Sequence, residues 1–307
     1  MIKGAAPWLI LAVLGIAAFA PAFGAGFTNW DDPLSVIDNP LIRSLAPPNI
    51  AGMFYGPHAI LLGLYIPVTQ LSYAIERAIF GDGPAVPHAV NVFLHLGAGL
   101  LLYAFLCSFL ESRAAGFFGA AVFLVHPVQV ESVAWITERK SVLSGLFIFA
   151  ALLGYLRRKR PGPGSFSFAA EWPVLLLTLA ALLAKPIAVI LPPVLAALDL
   201  ARPDRSPGGA AGIGTGAIVR AFGSKWPYFL LALAASLATI FGHASSTGLA
   251  IAGRTATGTL ATMISVVPGY AHLILFPTSL TAIRIAPEPG GLLAPPVLFG
   301  AAMLLAA

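Results

Sequence analysis

Long apolar runs separated by short polar turns restrict the fold of this chain more than any other feature of its sequence. The clearest run extends from about His88 to Leu110 and ends in the polar turn Glu111–Arg113. An α-helix needs roughly 20 apolar residues to cross the hydrocarbon core of a bilayer. Hydrophobic residues make up 58% of the 307 residues and charged residues 9%, which is too apolar for a soluble domain. The sequence therefore predicts an all-α integral membrane protein, a multi-span helical bundle.

The other apolar segments extend this prediction to one membrane-embedded domain over residues 1–307. Further spans are expected at Trp8–Phe23, Ala114–Val125, Ser141–Leu156 and Trp226–Gly242, with a helical hairpin at Trp172–Leu200 that turns near Lys185. Residues 258–277 fit either a span or an in-plane segment. Residues 24–86 predict a long loop with amphipathic helices on the membrane surface. The last apolar run, 296–307, is too short to span, so we expect the protein to continue beyond it.

The positive charges are distributed unevenly among the turns. If the N-terminus is cytoplasmic, ten of the 17 basic residues lie on the cytoplasmic side, including the run Arg157–Arg160. Cytoplasmic loops are enriched in Lys and Arg, so the sequence favours this orientation. It places residues 24–86, residues 126–140 and the turn at Lys185 together on the outer face. Frequent Ala and Arg are a compositional hint of a bacterial source, and therefore of an inner membrane.

Two adjacent carboxylates, Asp31 and Asp32, follow the first predicted span. They fit a simple helix end, because Pro33 stops a helix and Trp30 can anchor it in the headgroup layer. They also fit a catalytic base, since one ionised carboxylate can take a proton from a substrate. As a pair, they could bind a divalent cation through their oxygens. These residues alone leave the three interpretations open.

Three polar residues share one face of the helix predicted from His88, because His88, Asn91 and His95 are three and four residues apart. Polar side chains inside a membrane are costly and face a cavity or partner helices. They therefore either line a substrate pocket or join helices through hydrogen bonds. A zinc site is not favoured and no metal ligands are assigned, because no carboxylate or third His is near in sequence.

The loop 126–140 combines acidic, aromatic and basic side chains, which are His126, Glu131, Trp135, Glu138, Arg139 and Lys140. If it forms a short helix, its four-residue spacings stack Glu131, Trp135 and Arg139 on one face. Arg offers a bidentate fork to phosphate and Lys a point charge, so Arg139 and Lys140 are candidates for binding a lipid phosphate. The alternative is that both side chains snorkel at the start of a helix.

Lys185 and Arg254 are further candidates for the same phosphate. Lys185 lies between two short apolar arms with no carboxylate near in sequence. Acids and cations on one face suit the transfer of a sugar from a lipid phosphate. A carboxylate deprotonates an acceptor hydroxyl, which attacks the anomeric carbon and expels the lipid phosphate. This single displacement inverts the anomeric centre, and the cations stabilise the charge on the leaving group.

Many of these residues belong to short motifs, which are Trp30-Asp31-Asp32-Pro33, Tyr65-Ile-Pro-Val-Thr-Gln-Leu-Ser72, Phe80-Gly81, His88-Ala-Val-Asn91 with His95, the block His126–Lys140, Leu183-Ala-Lys185, Leu198-Asp199 and Leu275-Phe-Pro277. In this order they resemble the bacterial relatives of the transmembrane, TPR-containing O-mannosyltransferases, which are GT-C membrane glycosyltransferases. The resemblance extends from about residue 26 to residue 285, and the block His126–Lys140 is its most specific part.

The resemblance implies an active site on the non-cytoplasmic face, a polyprenyl-phosphate donor of mannose or another hexose, and a protein acceptor. It also implies that the first outer loop carries the catalytic acid, and it places that role on Asp31 with Asp32 beside it. Members usually continue into further spans and tetratricopeptide repeats, which we expect beyond Ala307. One departure is Pro186, because the family commonly has an acid after the lysine that corresponds to Lys185.

Two other functions fit the same residues. A secondary transporter or lipid-linked sugar flippase would line a pathway with Lys185 and the polar face at His88, and it predicts internal repeats with broken helices. No convincing repeat occurs in the sequence, although the short arms around Lys185 resemble a broken helix. A non-catalytic membrane anchor for a repeat domain would not need an acid pair at the membrane boundary.

Overall fold

The computed structural model describes residues 4–56, 59–158, 167–201, 214–247, 255–278, 280–281 and 289–306. In these ranges the chain is almost entirely helical, and two short strands form a hairpin. Three segments are long and apolar enough to cross a bilayer. The predicted all-α, multi-span membrane fold is therefore confirmed.

The α-helices of the described residues follow one another along the chain as α1 (Ala6–Ala18), α2 (Pro47–Phe54), α3 (Pro67–Phe80), α4 (Ala85–Phe109), α5 (Arg113–Val125), α6 (Gln129–Ala134), α7 (Arg139–Arg157), α8 (Phe168–Ala184), α9 (Leu191–Ala201), α10 (Thr215–Gly223), α11 (Trp226–Thr247), α12 (Ala256–Ser265), α13 (Val267–Leu275) and α14 (Pro295–Ala306).

The segments that can cross a membrane by length and composition are Ala85–Phe109, Ile136–Arg157 and Thr257–Leu275. The first is α4, the second is α7 with the turn before it, and the third joins α12 and α13. The third segment favours a span over an in-plane segment for residues 258–277. A fourth crossing exists if α10 and α11, which meet at a bend of 59°, act as one broken span.

Two predicted apolar runs are interrupted by proline. α1 ends at Ala18, and a 3₁₀ turn over Ala20–Gly24 takes the rest of the first run, because Pro21 cannot donate a helical hydrogen bond. At the predicted hairpin turn, Lys185 is extended and a 3₁₀ turn over Pro186–Ile190 leads into α9. A residue before proline avoids the α conformation, which explains why α8 ends where it does.

The core lies between α4, α7, α8 and α9, which contribute buried residues to one apolar cluster, for example Tyr155 of α7 and Leu195 of α9. Helix α5 approaches α4 very closely at Gly116. A Cβ atom on Gly116 would lie 2.9 Å from the main-chain nitrogen of Cys107. Small residues permit such close packing between membrane helices, where dispersion contacts supply much of the attraction.

Residues 24–84, which we name the cap segment, cover one end of this bundle. The cap segment contains a π-helical turn at Pro33–Ile37, then α2, a β-hairpin and α3. The hydroxyl of Thr69 donates to the main-chain oxygen of Ala184 at 3.0 Å. The hydroxyl of Tyr73 donates to the main-chain oxygen of Ile136 at 2.7 Å. Helix α3 is therefore packed on the ends of α7 and α8 as part of the bundle. The predicted loop with helices on the membrane surface does not include this packing.

The hairpin of the cap segment joins β1 (Ile60–Leu61) to β2 (Leu64–Tyr65) through a two-residue turn. Leu62 and Gly63 form this turn with φ angles of 50° and 76°. Positive φ at both central residues is typical of type I′ hairpin turns, and glycine adopts it easily whereas leucine does not favour it. The turn is thus locally strained at Leu62.

A group of polar side chains joins α7 and α8 at the end of the bundle remote from the cap segment. We name it the polar clamp, and its members are Tyr155, Arg158, Glu171, Asp199 and Lys225. Nε of Arg158 donates to Oε1 of Glu171 at 2.7 Å. The Tyr155 hydroxyl and Nζ of Lys225 both donate to Oδ2 of Asp199, at 2.8 and 2.7 Å. The polar clamp therefore connects α7, α8, α9 and the start of α11 through paired charges, as buried ionic groups require.

Candidate active site

A cavity of about 200 Å³ lies where the cap segment meets the bundle. Asp31, the predicted catalytic acid, and Lys140, a predicted phosphate ligand, both line it. Thr69 of α3 and the residues Thr137 and Glu138, which precede α7, add polar groups to its wall. The fold thus brings an acid and a cation from distant parts of the sequence into one cavity.

The two adjacent aspartates have different surroundings. Asp32 is fully buried, and its Oδ2 accepts hydrogen bonds from the main-chain nitrogen of Thr28 at 2.7 Å and from the Thr28 hydroxyl at 2.9 Å. Asp31 is half-buried and lines the cavity. Of the two carboxylates, Asp31 is the one that faces the cavity, whereas Asp32 is hydrogen-bonded within the loop that carries both.

His88 and Trp135 contact the loop that carries Asp31 and Asp32. Nε2 of His88 lies 3.2 Å from the main-chain oxygen of Gly26. Because a carbonyl oxygen only accepts, Nε2 carries the proton. The ring of Trp30 lies against that of Trp135, with 5.8 Å between the ring centroids. The loop is thus attached to α4 and to the residues that precede α7.

Asn91 and His95 also bind main-chain oxygens. Nδ2 of the fully buried Asn91 donates to the oxygens of Trp135 and Ile136, at 3.1 and 3.3 Å. Nε2 of the buried His95 lies 3.1 Å from the oxygen of Leu124. These contacts match the interpretation in which the polar face of α4 joins neighbouring elements through hydrogen bonds.

Arg139 is fully buried, and protein groups surround its guanidinium. Nε donates to Oδ1 of Asn91 at 2.9 Å, and Nη2 donates to the main-chain oxygen of Pro87 at 2.9 Å. Nη1 lies 2.6 Å from Oε2 of Glu76. Burial raises the pKa of Glu76, and the guanidinium of Arg139 opposes this rise. Arg139 thus forms a buried ion pair outside the cavity wall, and its role in binding phosphate stays a prediction.

Glu138 joins the two lysines that were predicted to bind phosphate. Its Oε1 lies 2.6 Å from Nζ of Lys140, and its Oε2 lies 3.0 Å from Nζ of Lys185. The hydroxyl of Ser141 donates to Oε2 of Glu138 and lies 2.6 Å from Nζ of Lys185. We name these four residues the lysine–glutamate cluster. The side chain of Lys185 is 24% exposed and that of Lys140 is 10% exposed, so the cluster is accessible mainly from the side of Lys185.

Thr137 and Glu138 line the cavity, although the sequence patterns assign neither of them a role. No carboxylate is near Lys185 in sequence, but the fold brings Glu138 to it from the turn that precedes α7. The position of Glu138 directly before Arg139 and Lys140, both predicted phosphate ligands, is the one sequence feature that points to it. The hydroxyl of Thr137 is buried, lines the cavity and has no hydrogen-bond partner among the described residues, and nothing in the sequence distinguishes it.

The expected stacking of Glu131, Trp135 and Arg139 on one helical face is wrong. Helix α6 ends at Ala134, and Trp135 is extended with φ −84° and ψ 122°. The break turns Glu131 to the surface while Arg139 is buried. Instead, the ring of Trp135 lies 5.8 Å from Nζ of Lys140.

His126 connects the loop to α13. Its Nε2 lies 2.8 Å from the main-chain oxygen of Ile274, and its Nδ1 accepts a hydrogen bond from the nitrogen of Val128 at 3.1 Å. These contacts place the proton on Nε2 and occupy both ring nitrogens. Arg254 lies outside the described residues, so its role in binding phosphate stays a prediction.

The acid pair offers only part of a cation site. Oδ1 of Asp32 is buried and has no hydrogen-bond partner among the described residues, which fits a bound cation. However, the described residues contain no group of three or more His, Cys, Asp or Glu side chains placed to bind a metal ion. A divalent cation at Asp31 and Asp32 therefore stays a prediction.

Comparison with known proteins finds similar sequences among the protein O-mannosyl-transferases. The chain is 34% identical over 134 residues to protein O-mannosyl-transferase TMTC1 of Mus musculus, a match that covers 41% of the chain. It is 32% identical over 158 residues to TMTC1 of Homo sapiens, which covers 48% of the chain. With protein O-mannosyl-transferase Tmtc1 of Drosophila melanogaster it shares 29% identity over 187 residues, or 57% of the chain.

These matches cover only a small part of each relative. The aligned region corresponds to 14% of the mouse protein, 18% of the human protein and 20% of the fly protein. No family model matches the chain, and no solved structure matches it. The chain is thus similar, over about half of its length, to members of the TMTC family of protein O-mannosyl-transferases.

Proposed function

We propose that this chain is the catalytic membrane portion of a protein O-glycosyltransferase. It transfers mannose or another hexose from a polyprenyl phosphate to a hydroxyl group of an acceptor protein. The observation that carries this proposal is the cavity that Asp31 and Lys140 share, with Lys185 joined to it through Glu138. The names of the relatives support the same reaction class.

In the proposed reaction Asp31 acts as the general base. It accepts the proton of the acceptor hydroxyl, whose oxygen forms a bond to the anomeric carbon of the sugar. The bond from that carbon to the lipid phosphate breaks, and both bonding electrons leave with the phosphate. Lys140 and Lys185 stabilise the negative charge on the leaving phosphate, and the single displacement inverts the anomeric centre.

The proposed orientation places the cavity on the non-cytoplasmic face. Support comes from the charges at the two ends of the bundle. The end opposite the cavity contains Arg113 at the start of α5, Arg157 at the end of α7, Arg158 after it, and Lys225 before α11. Positive residues concentrate on the cytoplasmic side of membrane proteins, so this end is the cytoplasmic one in the proposal.

The substitution Asp31→Asn tests the proposal because it keeps the shape of the side chain and removes its basicity. Loss of a positioned general base reduces a rate by about 10²–10⁴-fold, so we expect the rate of transfer to fall by at least about 10²-fold. Transfer is measured with the full-length protein in membranes, supplied with radiolabelled polyprenyl-phosphate sugars and an acceptor protein.

Asp38→Asn is the matched control for Asp31→Asn. Asp38 belongs to the same cap segment, is exposed and lies outside the cavity wall, so its substitution is expected to leave transfer unchanged. Both variants are compared with the wild type for membrane insertion and for elution in detergent. Near-normal transfer by a correctly inserted Asp31→Asn variant contradicts the assignment of Asp31 as the base.

A further inference from the structure

Glu138 is the charged member of the lysine–glutamate cluster to which the proposed reaction assigns no role. Two ammonium groups and one hydroxyl bind its carboxylate, which Lys140 approaches to 2.6 Å and Lys185 to 3.0 Å. Ser141 supplies the hydroxyl. Ammonium and hydroxyl groups are also good donors to phosphate oxygens. A phosphate that approaches these lysines therefore meets a carboxylate that already uses their donors.

We propose that Glu138 is an internal competitor of the donor phosphate. Its carboxylate bridges Lys140 and Lys185 when the site is empty, and the phosphate of the polyprenyl donor binds these lysines by displacing it. This inference rests on the proposed function, because it concerns the same site and the same class of donor. It makes Glu138 a residue that sets the affinity for the lipid phosphate.

The charges of the cluster support a displaceable anion. Two lysines in a largely buried position repel each other, and one carboxylate between them relieves that cost. A phosphate supplies the same compensation with oxygens that can also reach both ammonium groups. The exchange therefore keeps the lysines paired with an anion before binding, during binding and after the product leaves.

The wall of the cavity contains a hydroxyl group that can take part when phosphate displaces the Glu138 carboxylate. Glu138 lines the cavity, so its carboxylate can move into that space without passing through the packed bundle. The buried hydroxyl of the neighbouring Thr137, which has no partner among the described residues, lies in the same wall. It can donate a hydrogen bond to the displaced carboxylate or to the incoming phosphate, and either contact satisfies a group that is otherwise costly to bury.

The test measures binding without transfer. Full-length protein in lipid nanodiscs is titrated with a polyprenyl phosphate of one chain length, with the corresponding polyprenol and with inorganic phosphate. Glu138→Gln keeps the size of the side chain and removes its charge. We expect the dissociation constant of polyprenyl phosphate to fall about tenfold, the scale of one charge-assisted hydrogen bond, while polyprenol binding does not change.

Two further variants make the result specific. Lys185→Gln is expected to raise the dissociation constant about tenfold, because the phosphate loses one charged donor. The double variant Glu138→Gln/Lys185→Gln is expected to bind polyprenyl phosphate with nearly wild-type affinity. It loses one charged donor to the phosphate and also the carboxylate that competes with the phosphate, and the two effects offset each other. Inorganic phosphate distinguishes recognition of phosphate itself from recognition of the lipid: the same gain for both ligands assigns the effect to the phosphate group. Asp38→Asn is the control with an unchanged dissociation constant.

Unchanged or weaker binding of polyprenyl phosphate by a stable Glu138→Gln variant overturns this inference, and Glu138 is then a residue that positions the lysines. An equal gain for polyprenol also overturns it. If the wild-type protein binds no polyprenyl phosphate, both the donor in the proposed function and this inference are wrong. Normal transfer by Asp31→Asn contradicts only the catalytic base, so the two failures are distinguishable.

Discussion

Asp31 and Asp32 are neighbours in sequence, yet their side chains reach different surroundings because the backbone turns between them. The main-chain oxygen of Asp31 accepts from the nitrogen of Ser35 at 2.9 Å, which starts a helical turn. Consecutive side chains of a helix leave its axis about 100° apart. One carboxylate therefore points back to Thr28 while the other lies in the cavity wall. Because the loop fixes the carboxylate of Asp32, it holds the neighbouring Asp31 at a defined position in the cavity wall.

The buried pair of Arg139 and Glu76 leads to a prediction about stability. Arg139→Met leaves the carboxylate of Glu76 buried without its cation, and breaking such a pair costs about 3–5 kcal/mol. The double variant Arg139→Met/Glu76→Leu contains neither charge and is expected to recover most of the loss. The midpoint of thermal unfolding in detergent measures both effects.

The same double variant examines the predicted phosphate contact of Arg139. If the double variant is stable and binds polyprenyl phosphate as the wild type does, Arg139 acts only through the packing of α3, α4 and α7. A stable double variant that no longer binds the lipid phosphate supports the predicted contact instead. A double variant as unstable as Arg139→Met contradicts the ion-pair explanation.

At the scale of single residues, the sequence identifies chemistry better than it identifies position. It selects Asp31, Lys140 and Lys185 because charged residues near a membrane boundary are few, and the structure brings these three into or next to one cavity. It cannot separate the two lysines from Arg139, which has the same charge but is fully buried outside the cavity wall. Burial depends on the packing of α3 against α4, which no local pattern encodes.

At the scale of secondary-structure elements, the contact of α4 with α5 depends on glycine. Gly116→Ala is expected to destabilise the protein by about 1–3 kcal/mol, because the new methyl group meets the backbone of Cys107 and one helix must move. The thermal unfolding midpoint in detergent is expected to fall accordingly.

Gly145→Ala in α7 is the control for the Gly116 substitution. A Cβ atom on Gly145 meets no heavy atom within 4 Å outside its own helical backbone. The change is therefore expected to be neutral or stabilising, by up to about 1 kcal/mol, because alanine favours a helix more than glycine does. A midpoint that falls as much for Gly145→Ala as for Gly116→Ala contradicts the close-packing argument.

Long elements were predictable and short ones were not. The apolar runs at His88–Leu110 and Ser141–Leu156 predict α4 and α7 to within a few residues, because hydrophobic length is a local property. The break at Trp135 and the structure of the cap segment escape prediction. Their hydrogen bonds go to distant partners, as in the contact of Tyr73 with Ile136, so tertiary packing determines them.

At the scale of the whole molecule, the proposed orientation can be tested with single cysteines. Cys107 is the only cysteine among these 307 residues, so Cys107→Ser leaves this part of the protein without a thiol. Asp38→Cys adds an exposed thiol at the cavity end, and Ala114→Cys adds one at the opposite end. A membrane-impermeant maleimide added outside right-side-out vesicles is expected to label the first and not the second. Solubilisation of the vesicles should expose both thiols, and labelling in the reverse order contradicts the orientation.

The polar clamp has a mechanical consequence. It fastens α7, α8 and α9 at the end remote from the cavity, where Arg158 binds Glu171 and Tyr155 binds Asp199. At the other end α7 and α8 are linked through Lys185, whose contacts to Glu138 and Ser141 are partly open to solvent, and through a buried hydrogen bond from the hydroxyl of Ser144 to the main-chain oxygen of Ala181 at 3.1 Å. The clamp end is thus held by paired charges, whereas solvent partly reaches the charged contacts of the cavity end. We therefore expect relative motion of the two helices to be smallest at the clamp and largest near Lys185.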